Sequence, residues 1–188
     1  MAITGFAIFE TAFGACGLAW GDRGIIGCWL HARTAERTHA QIVRQHPGAC
    51  ESIPPTAIAN VIEGITGLLA GELRDLRDAV LDMGAVPEFA RRVYEITRTI
   101  PPGETMTYGA VARTMGEPPI RAREVGEALG RNPFAPIVPC HRVVAAGGRL
   151  GGYSAPGGSA TKRRLLEIEG ASLGSMPGQP SLFDVGAT

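Results

Sequence analysis

The sequence predicts an α+β fold: a small N-terminal α/β domain with an antiparallel sheet, followed by a mainly helical C-terminal domain. Three observations carry this prediction. Between Phe6 and Leu30, short apolar runs alternate with glycines, which is typical of a small antiparallel meander. From residue 57 onward, apolar residues recur at helical spacing. Between residues 107 and 130, two short helical patterns flank a tight turn, as in a helix-turn-helix.

The composition fits one or two compact domains. The chain has 188 residues, of which 45% are hydrophobic, enough to bury a core. No apolar run reaches the length of a membrane span, and residues 1–10 lack the basic start of a secretion signal. The four cysteines are scattered, which indicates free thiols rather than a disulfide framework. We therefore expect a cytoplasmic protein without a membrane partner.

The charge distribution separates three segments that we predict as domains 1–86 and 87–171 and a disordered tail, 172–188. The first carries 6 Arg against 9 acidic residues, and the second carries 12 Arg and Lys against 8 Glu. This local basic excess supports weak, sequence-independent attraction to phosphates. The tail is rich in Gly, Ser and Pro. Arginine takes the place of lysine almost everywhere, with Lys162 as the only lysine, and we interpret this preference as a matter of composition rather than function.

The first domain is predicted to continue from its meander into two helices. Gly21-Asp22-Arg23-Gly24 is a turn signal between two apolar runs. A polar segment, 34–46, is expected to be helical. Residues 57–70 place apolar side chains on one helical face, and Gly71 can end that helix.

Six cysteines and histidines in this domain raise the question of a metal site. They are Cys16, Cys28, His31, His39, His46 and Cys50. A structural zinc site normally contains two cysteines separated by about two to four residues, and the sequence has no such pair. We therefore predict free cysteines and surface histidines, with no bound metal.

The second domain is predicted to consist mainly of helices. They cover residues 88–99, 108–115 and 120–130. Pro87 suits the start of the first helix, and Pro101-Pro102-Gly103 ends it. Thr107 is a suitable N-cap for the second, and a turn with two prolines separates it from the third.

The most informative stretch is Pro139-Cys140-His141-Arg142-Val143-Val144. Only the thiolate is a good sulfur nucleophile, and neighbouring basic groups lower the pKa of a thiol. A cysteine fixed by a preceding proline and followed by two basic residues is therefore a candidate nucleophile. For a Cys-His pair alone, a buried structural cysteine is an equally good interpretation.

This hexapeptide is similar to the active-site signature of the O6-alkylguanine-DNA alkyltransferases, the methylated-DNA–protein-cysteine methyltransferases. The resemblance covers roughly residues 87–171 and rests on several further motifs. These are 100–105, 107–109, Ala122-Arg123-Glu124-Val125-Gly126, Asn132-Pro133, Gly152-Tyr153-Ser154 and Glu169-Gly170.

The resemblance implies a ribonuclease-H-like N-terminal domain and a C-terminal winged helix-turn-helix. It implies that the substrate is double-stranded DNA carrying O6-alkylguanine, with O4-alkylthymine as a second candidate. The damaged base leaves the stack, because its alkyl group is unreachable inside a duplex. The alkyl group then passes irreversibly to Cys140 in a single turnover. The resemblance also implies a monomer that needs no cofactor.

The resemblance assigns catalytic roles to five residues. Cys140 is the alkyl acceptor. His141 would act as its base through a bridging water, and Glu169 would orient His141. Tyr108 would crowd the 3′ phosphate and donate a proton to the departing guanine. Asn132 would brace the turn around the active site.

The resemblance also implies contacts with DNA and with the flipped base. Arg123 would fill the gap left by that base, as an arginine finger. Ala122 and Gly126 would allow close approach of the helix to the minor groove, and Arg142 would contact DNA. The residues implied to read the base are Val143, through its carbonyl, Tyr153 and Ser154.

The tail contains Gln179-Pro180-Ser181-Leu182-Phe183. This peptide is similar to the Gln-x-Ser/Asp-Leu-Phe motif by which bacterial proteins bind the replication sliding clamp. An exposed Leu-Phe pair suits docking into an apolar groove. The resemblance therefore implies the clamp as a second partner, through Gln179, Leu182 and Phe183.

Three other functions compete with alkyl transfer. Alkyltransferase-like damage sensors flip bases but lack the acceptor cysteine, which is present here as Cys140. A winged-helix transcription regulator would explain the helix pair but not residues 139–144. A thiol protease lacks support, because no paired His-Asn context occurs outside the alkyltransferase pattern.

Overall fold

A three-stranded antiparallel sheet opens the fold, in the order β1 (Ile3–Phe9), β2 (Cys16–Gly21) and β3 (Gly24–Trp29). The computed structural model describes residues 3–30 and 34–171. His31 and the predicted disordered tail, 172–188, lie outside the described residues. The predicted meander is confirmed, with its tight turn between β2 and β3.

Two helices follow the sheet, α1 (Ala35–Gln45) and α2 (Thr56–Leu69), as predicted to within a residue or two. Thr34 caps α1, because its Oγ1 accepts a hydrogen bond from the Arg37 amide at 3.3 Å. Ile42 of α1 is completely buried against the sheet. A side chain at Gly17 would place its Cβ 2.6 Å from Ile42 Cδ1, so Ile42 would have to shift to accommodate a larger residue.

The segment after α2 runs beside β3 and connects the sheet to the helical half. The Ile25 amide donates to the Val80 carbonyl at 2.9 Å, and the Asp82 amide donates to the Ile25 carbonyl at 2.8 Å. Arg98 donates to the Ala79 carbonyl at 2.7 Å and also to the Arg77 carbonyl. These bonds hold the crossing segment against both halves.

The second half is mainly helical, as predicted. Its helices are α3 (Glu88–Thr97), α4 (Tyr108–Thr114), α5 (Ala122–Gly130) and α6 (Gly158–Ile168). A 3₁₀ turn, Pro119–Arg121, precedes α5. Thr107 caps α4 as predicted, with its Oγ1 accepting from the Ala110 amide at 3.1 Å. Two short parallel strands, β4 (Met106–Thr107) and β5 (Val143–Val144), join the start of α4 to the motif region.

Salt bridges fix the turn between α4 and α5. The Glu117 carboxylate forms salt bridges with the Arg92 guanidinium at 3.1 Å and with the Arg121 guanidinium at 2.8 Å. Arg121 also stacks over Phe89, 4.4 Å from the ring centroid. The two helices are therefore held in a defined angle against α3, which carries both Arg92 and Phe89.

One apolar core crosses the boundary between the two halves. It combines Leu18 of the sheet, Ile65 of α2, Val93 of α3 and Leu165 of α6. The division at residue 86 therefore stays a prediction, while the α+β class is confirmed. Across residues 3–30 and 34–171, no helix is long and apolar enough to span a bilayer, and no cluster of metal-binding side chains occurs.

Candidate active site

Cys140 begins a single 3₁₀ turn, Cys140–Arg142, directly after Pro139. The Cys140 amide donates to the Val138 carbonyl at 2.8 Å, and the Arg142 amide donates to the Pro139 carbonyl at 2.9 Å. Proline fixes the backbone just before the thiol. The turn directs three consecutive side chains into the protein, and Cys140 is only 7% exposed.

A buried network joins this turn to the end of α6. His141 Nε2 lies 2.9 Å from Glu169 Oε1. Arg142 donates to both oxygens of the same carboxylate, from Nε at 2.9 Å and from Nη2 at 2.8 Å. All three side chains are buried. The structure thus brings His141 and Glu169 together as predicted, although 28 residues separate them.

The predicted contact of Arg142 with DNA is wrong. Its guanidinium is buried and makes two bonds to Glu169 and a third, from Nη1, to the Ile100 carbonyl at 2.7 Å. Desolvating an arginine is unfavourable unless its donors are satisfied, and these bonds satisfy them. Arg142 therefore helps to hold the carboxylate that faces His141.

Burial and the bonds of this network shift the pKa values of Glu169 and His141. Burial alone would raise the pKa of Glu169, but hydrogen bonds from His141 and Arg142 outweigh it and lower that pKa to about 2. Burial lowers the pKa of His141. A neutral imidazole must donate its one proton to an ionised carboxylate, so Nε2 carries it. Nδ1 then holds the free electron pair and makes no hydrogen bond to the described residues.

Burial also raises the pKa of the Cys140 thiol. Hydrogen bonding from Asn132, the positive charge of Lys162 and hydrogen bonding from Tyr153 oppose that shift. The resting group is therefore a thiol surrounded by groups that favour its thiolate form. A base must remove the proton before the sulfur can attack.

Asn132 occupies the bracing position predicted for it. Its Nδ2 donates to the Val138 carbonyl at 2.8 Å, and its Oδ1 accepts from the Phe134 amide at 2.9 Å. These two bonds tie the loop before Cys140 to itself. The loop is tied to the sheet as well, because the Cys28 amide donates to the Pro133 carbonyl at 2.7 Å.

Two cavities meet at Cys140. One, of about 560 Å³, is lined by the predicted DNA-facing residues Tyr108, Ala122, Arg123 and Gly126. The other, of about 450 Å³, leads toward the first domain and is lined by residues that include Cys28, Trp29 and Gln45. Tyr153 and Ser154 line both cavities, as expected of residues near a bound base. The Cys140 thiol is therefore reachable from the exposed face of α5.

A family model described as "6-O-methylguanine DNA methyltransferase, DNA binding domain" matches residues 88–171. The "Methylated-DNA--protein-cysteine methyltransferase" of Methanothermobacter thermautotrophicus is 39% identical over 157 residues, covering 84% of this chain and 80% of that protein. The chain belongs to the 6-O-methylguanine DNA methyltransferase family. The resemblance inferred from Pro139-Cys140-His141-Arg142-Val143-Val144 is thus confirmed.

Two further relatives place the chain within this family. The crystal structure of Mycobacterium tuberculosis OGT in complex with DNA superposes with a TM-score of 0.70 at 36% identity, covering 88% of this chain and 92% of that chain. The "DNA base-flipping protein" of Thermus thermophilus is 42% identical over 111 residues, covering 59% of this chain and 72% of that protein. The structural likeness confirms the α+β fold.

Lys162 is the site residue that sequence reasoning missed. It is completely buried, and its Nζ donates to the Val143 carbonyl at 2.6 Å and to Tyr108 Oη and the Gly152 carbonyl, each at 3.4 Å. Burial lowers its pKa to about 8. Lys162 is the single lysine among 18 basic residues, but the preference for arginine gave no indication of this position in the fold.

Lys162 also changes the interpretation of the residues predicted to contact the base. Its bond to the Val143 carbonyl uses one of the two lone pairs of that oxygen and fixes β5 in place. Tyr108 Oη lies 3.5 Å from the Gly152 carbonyl at the mouth of the cavity. Burial of the Tyr153 hydroxyl raises the pKa of Tyr153, and the charge of a nearby thiolate at Cys140 raises it further.

The buried network predicts a loss of stability in acid. An unfolded histidine binds a proton near pH 6.5, whereas burial lowers the pKa of His141, so the unfolded state binds more protons as the pH falls. The contribution of neutral, buried His141 to the free energy of unfolding is therefore complete above pH 6.5 and decreases as the pH falls below it. Glu169 adds a second loss between pH 4.5 and about 2. Urea unfolding at pH 8, 6 and 5 should show a smaller loss in His141→Gln than in the wild type; equal losses contradict the assignment.

Proposed function

We propose that this chain repairs double-stranded DNA by transferring the alkyl group of O6-alkylguanine irreversibly to Cys140. One observation carries the proposal: Cys140 sits where the buried His141–Glu169 pair meets a cavity that opens on the exposed face of α5. The names of the methyltransferase relatives, and a relative solved in complex with DNA, support it. O4-alkylthymine is a second candidate substrate.

The first chemical step is activation of the thiol. His141 is a neutral base whose Nδ1 carries a lone pair, and it takes the Cys140 proton through one bridging water. Glu169 already bonds Nε2 at 2.9 Å, so its negative charge stabilises the imidazolium that forms. Arg142 keeps that carboxylate ionised and in place.

In the second step, Sγ attacks the alkyl carbon and the carbon–O6 bond breaks. The bonding electron pair stays on guanine, which must receive a proton. Tyr108 Oη lies at the mouth of the cavity and is the proposed donor. Its phenolate would form 3.4 Å from the Lys162 ammonium, which can neutralise or reprotonate it. A thioether is a poor leaving group, so each molecule would act once.

The base must reach this site by leaving the duplex. Arg123 lies on the exposed face of α5, with its side chain 89% exposed, where it can occupy the place of the flipped base. The small residues Ala122 and Gly126 line the same cavity as Arg123, and their size would let the helix approach the minor groove closely. Flipping costs least for a poorly paired base, which favours the lesion over normal pairs.

The test is the intact mass of the protein after mixing with excess O6-methylguanine duplex. We expect a gain of one methyl group per chain, with no further gain on longer incubation. No mass gain, together with tight and lesion-selective binding, would instead support a damage sensor. The base-flipping relative from Thermus thermophilus is the observation that keeps this second function open.

We infer a second partner, the replication sliding clamp, from the tail motif. Gln179, Leu182 and Phe183 lie outside the described residues, and the proposal rests on the sequence alone. In a pull-down, clamp protein should capture the wild-type chain. It should not capture a chain that lacks residues 177–188 or one in which Leu182 and Phe183 are both replaced by Ala. Pro180→Ala, at the variable position of the motif, is the matched control and should be captured like the wild type. Equal capture of the wild type and the truncated chain contradicts the proposal.

A further inference from the structure

The exposed arginine of α5 is one half of an ion pair. Arg123 Nε donates to Glu127 Oε1 at 3.2 Å, one helical turn away. The two side chains are 89% and 55% exposed. Both line the cavity that leads to Cys140, and Glu127 is the single carboxylate among the described residues of that lining. A negative charge therefore stands on the surface that the proposed function presents to phosphates.

The other carboxylate of α5 has a different setting. Glu124 Oε1 accepts a hydrogen bond from Arg121 Nε at 2.9 Å, and the side chain lines a separate cavity with Phe89 and Asp82. Its charge is balanced by an arginine that belongs to the brace between α4 and α5. Glu127 borders both cavities. Its charge is balanced by Arg123, the side chain that enters the DNA in the proposed function.

The guanidinium of Arg123 cannot stay beside Glu127 and also enter the base stack. An exposed pair four residues apart on a helix is weak, so it opens readily when the arginine gains a better place. While the pair is closed, Arg123 contributes little attraction to phosphates. Once it opens, the free carboxylate repels the phosphate backbone.

We propose that Glu127 limits the binding of this chain to undamaged duplex DNA by holding Arg123 in the ion pair until a base can be replaced. The inference rests on the proposed function, because it takes Arg123 as the group that enters the duplex. On undamaged DNA, the pair competes with the phosphates for the arginine and lowers the fraction of Arg123 that is free to bind them. At a lesion, the weakened base pair gives Arg123 a place in the stack, and the pair opens.

The test compares Glu127→Gln with a matched control on undamaged duplex over a series of salt concentrations. We expect Glu127→Gln to bind about three- to tenfold more tightly and to steepen the salt dependence by about one counterion. The control is Glu95→Gln, which removes the same charge from another exposed pair, with Arg91 at 3.9 Å on α3. If Glu127→Gln behaves like Glu95→Gln, the proposal is overturned.

A double variant separates withholding of the arginine from simple repulsion. In an Arg123→Ala background, Glu127→Gln should tighten binding less than it does in the wild type, because no arginine remains to be released. An equal effect in both backgrounds overturns the ion-pair mechanism. These binding measurements use undamaged DNA and need no alkyl transfer. A wild-type chain that gains no methyl mass would therefore reject the proposed function, while the binding of the variants would still test the role of Glu127.

Discussion

Replacing Cys140 with serine is expected to abolish methyl uptake completely. The hydroxyl nearly matches the thiol in size and can accept the hydrogen bond that Asn132 offers the sulfur, and the two bonds of Asn132 to the loop do not involve the side chain at position 140. A serine hydroxyl is a far weaker nucleophile than a thiolate at neutral pH, and His141 is only a modest base. The measurement is intact mass after incubation with excess O6-methylguanine duplex.

The control for this prediction is Cys50→Ser, which alters an exposed thiol away from the site. That variant should gain one methyl group like the wild type, and peptide mapping should place the group on Cys140. The Cys140→Ser protein should still bind lesion DNA, because the face of α5 is unchanged. Methyl uptake by Cys140→Ser would assign the acceptor to another residue.

Replacing Glu169 with glutamine should destabilise the fold and stop transfer together. Glu169 is the only carboxylate that the described contacts give to buried Arg142 and His141. Glutamine keeps the shape but removes the charge, which leaves a buried guanidinium uncompensated. Breaking a buried pair in this way costs about 3–5 kcal/mol of unfolding free energy. Urea unfolding and single-turnover mass analysis measure the two effects.

Glu167→Gln is the matched control, since this glutamate lies on α6 two residues earlier and is exposed. It should change the free energy of unfolding by less than about 0.5 kcal/mol and leave methyl uptake intact. The transfer assay on Glu169→Gln must be made in conditions where unfolding curves show a folded protein. A folded Glu169→Gln chain that transfers methyl at the wild-type rate would remove Glu169 from the activation of Cys140.

The sequence by itself determined most of the fold. Glycine-punctuated apolar runs and helical periodicity predicted the meander and helices α1 to α5 to within about two residues, because these signals are local, whereas α6 was not predicted. Thr107 as an N-cap and the turn before α5 were likewise local features. The hexapeptide at Cys140 indicated the family through its resemblance to the family's signature, which the similar proteins confirm, and Cys140 as the acceptor stays a prediction of that resemblance.

The tertiary structure decided the electrostatics of the site. Arg142 looks like a surface cation in the sequence, and only the fold shows that its guanidinium is buried against Glu169. Lys162 reaches Val143 and Tyr108 across 19 and 54 residues of chain, a distance that no periodicity reports. The pairing of Arg123 with Glu127 follows helical spacing, but its position at the mouth of the cavity does not. The pKa of a side chain and the direction in which it points are set by its burial and by contacts with residues distant in sequence. Burial and these contacts exist only once the chain has folded.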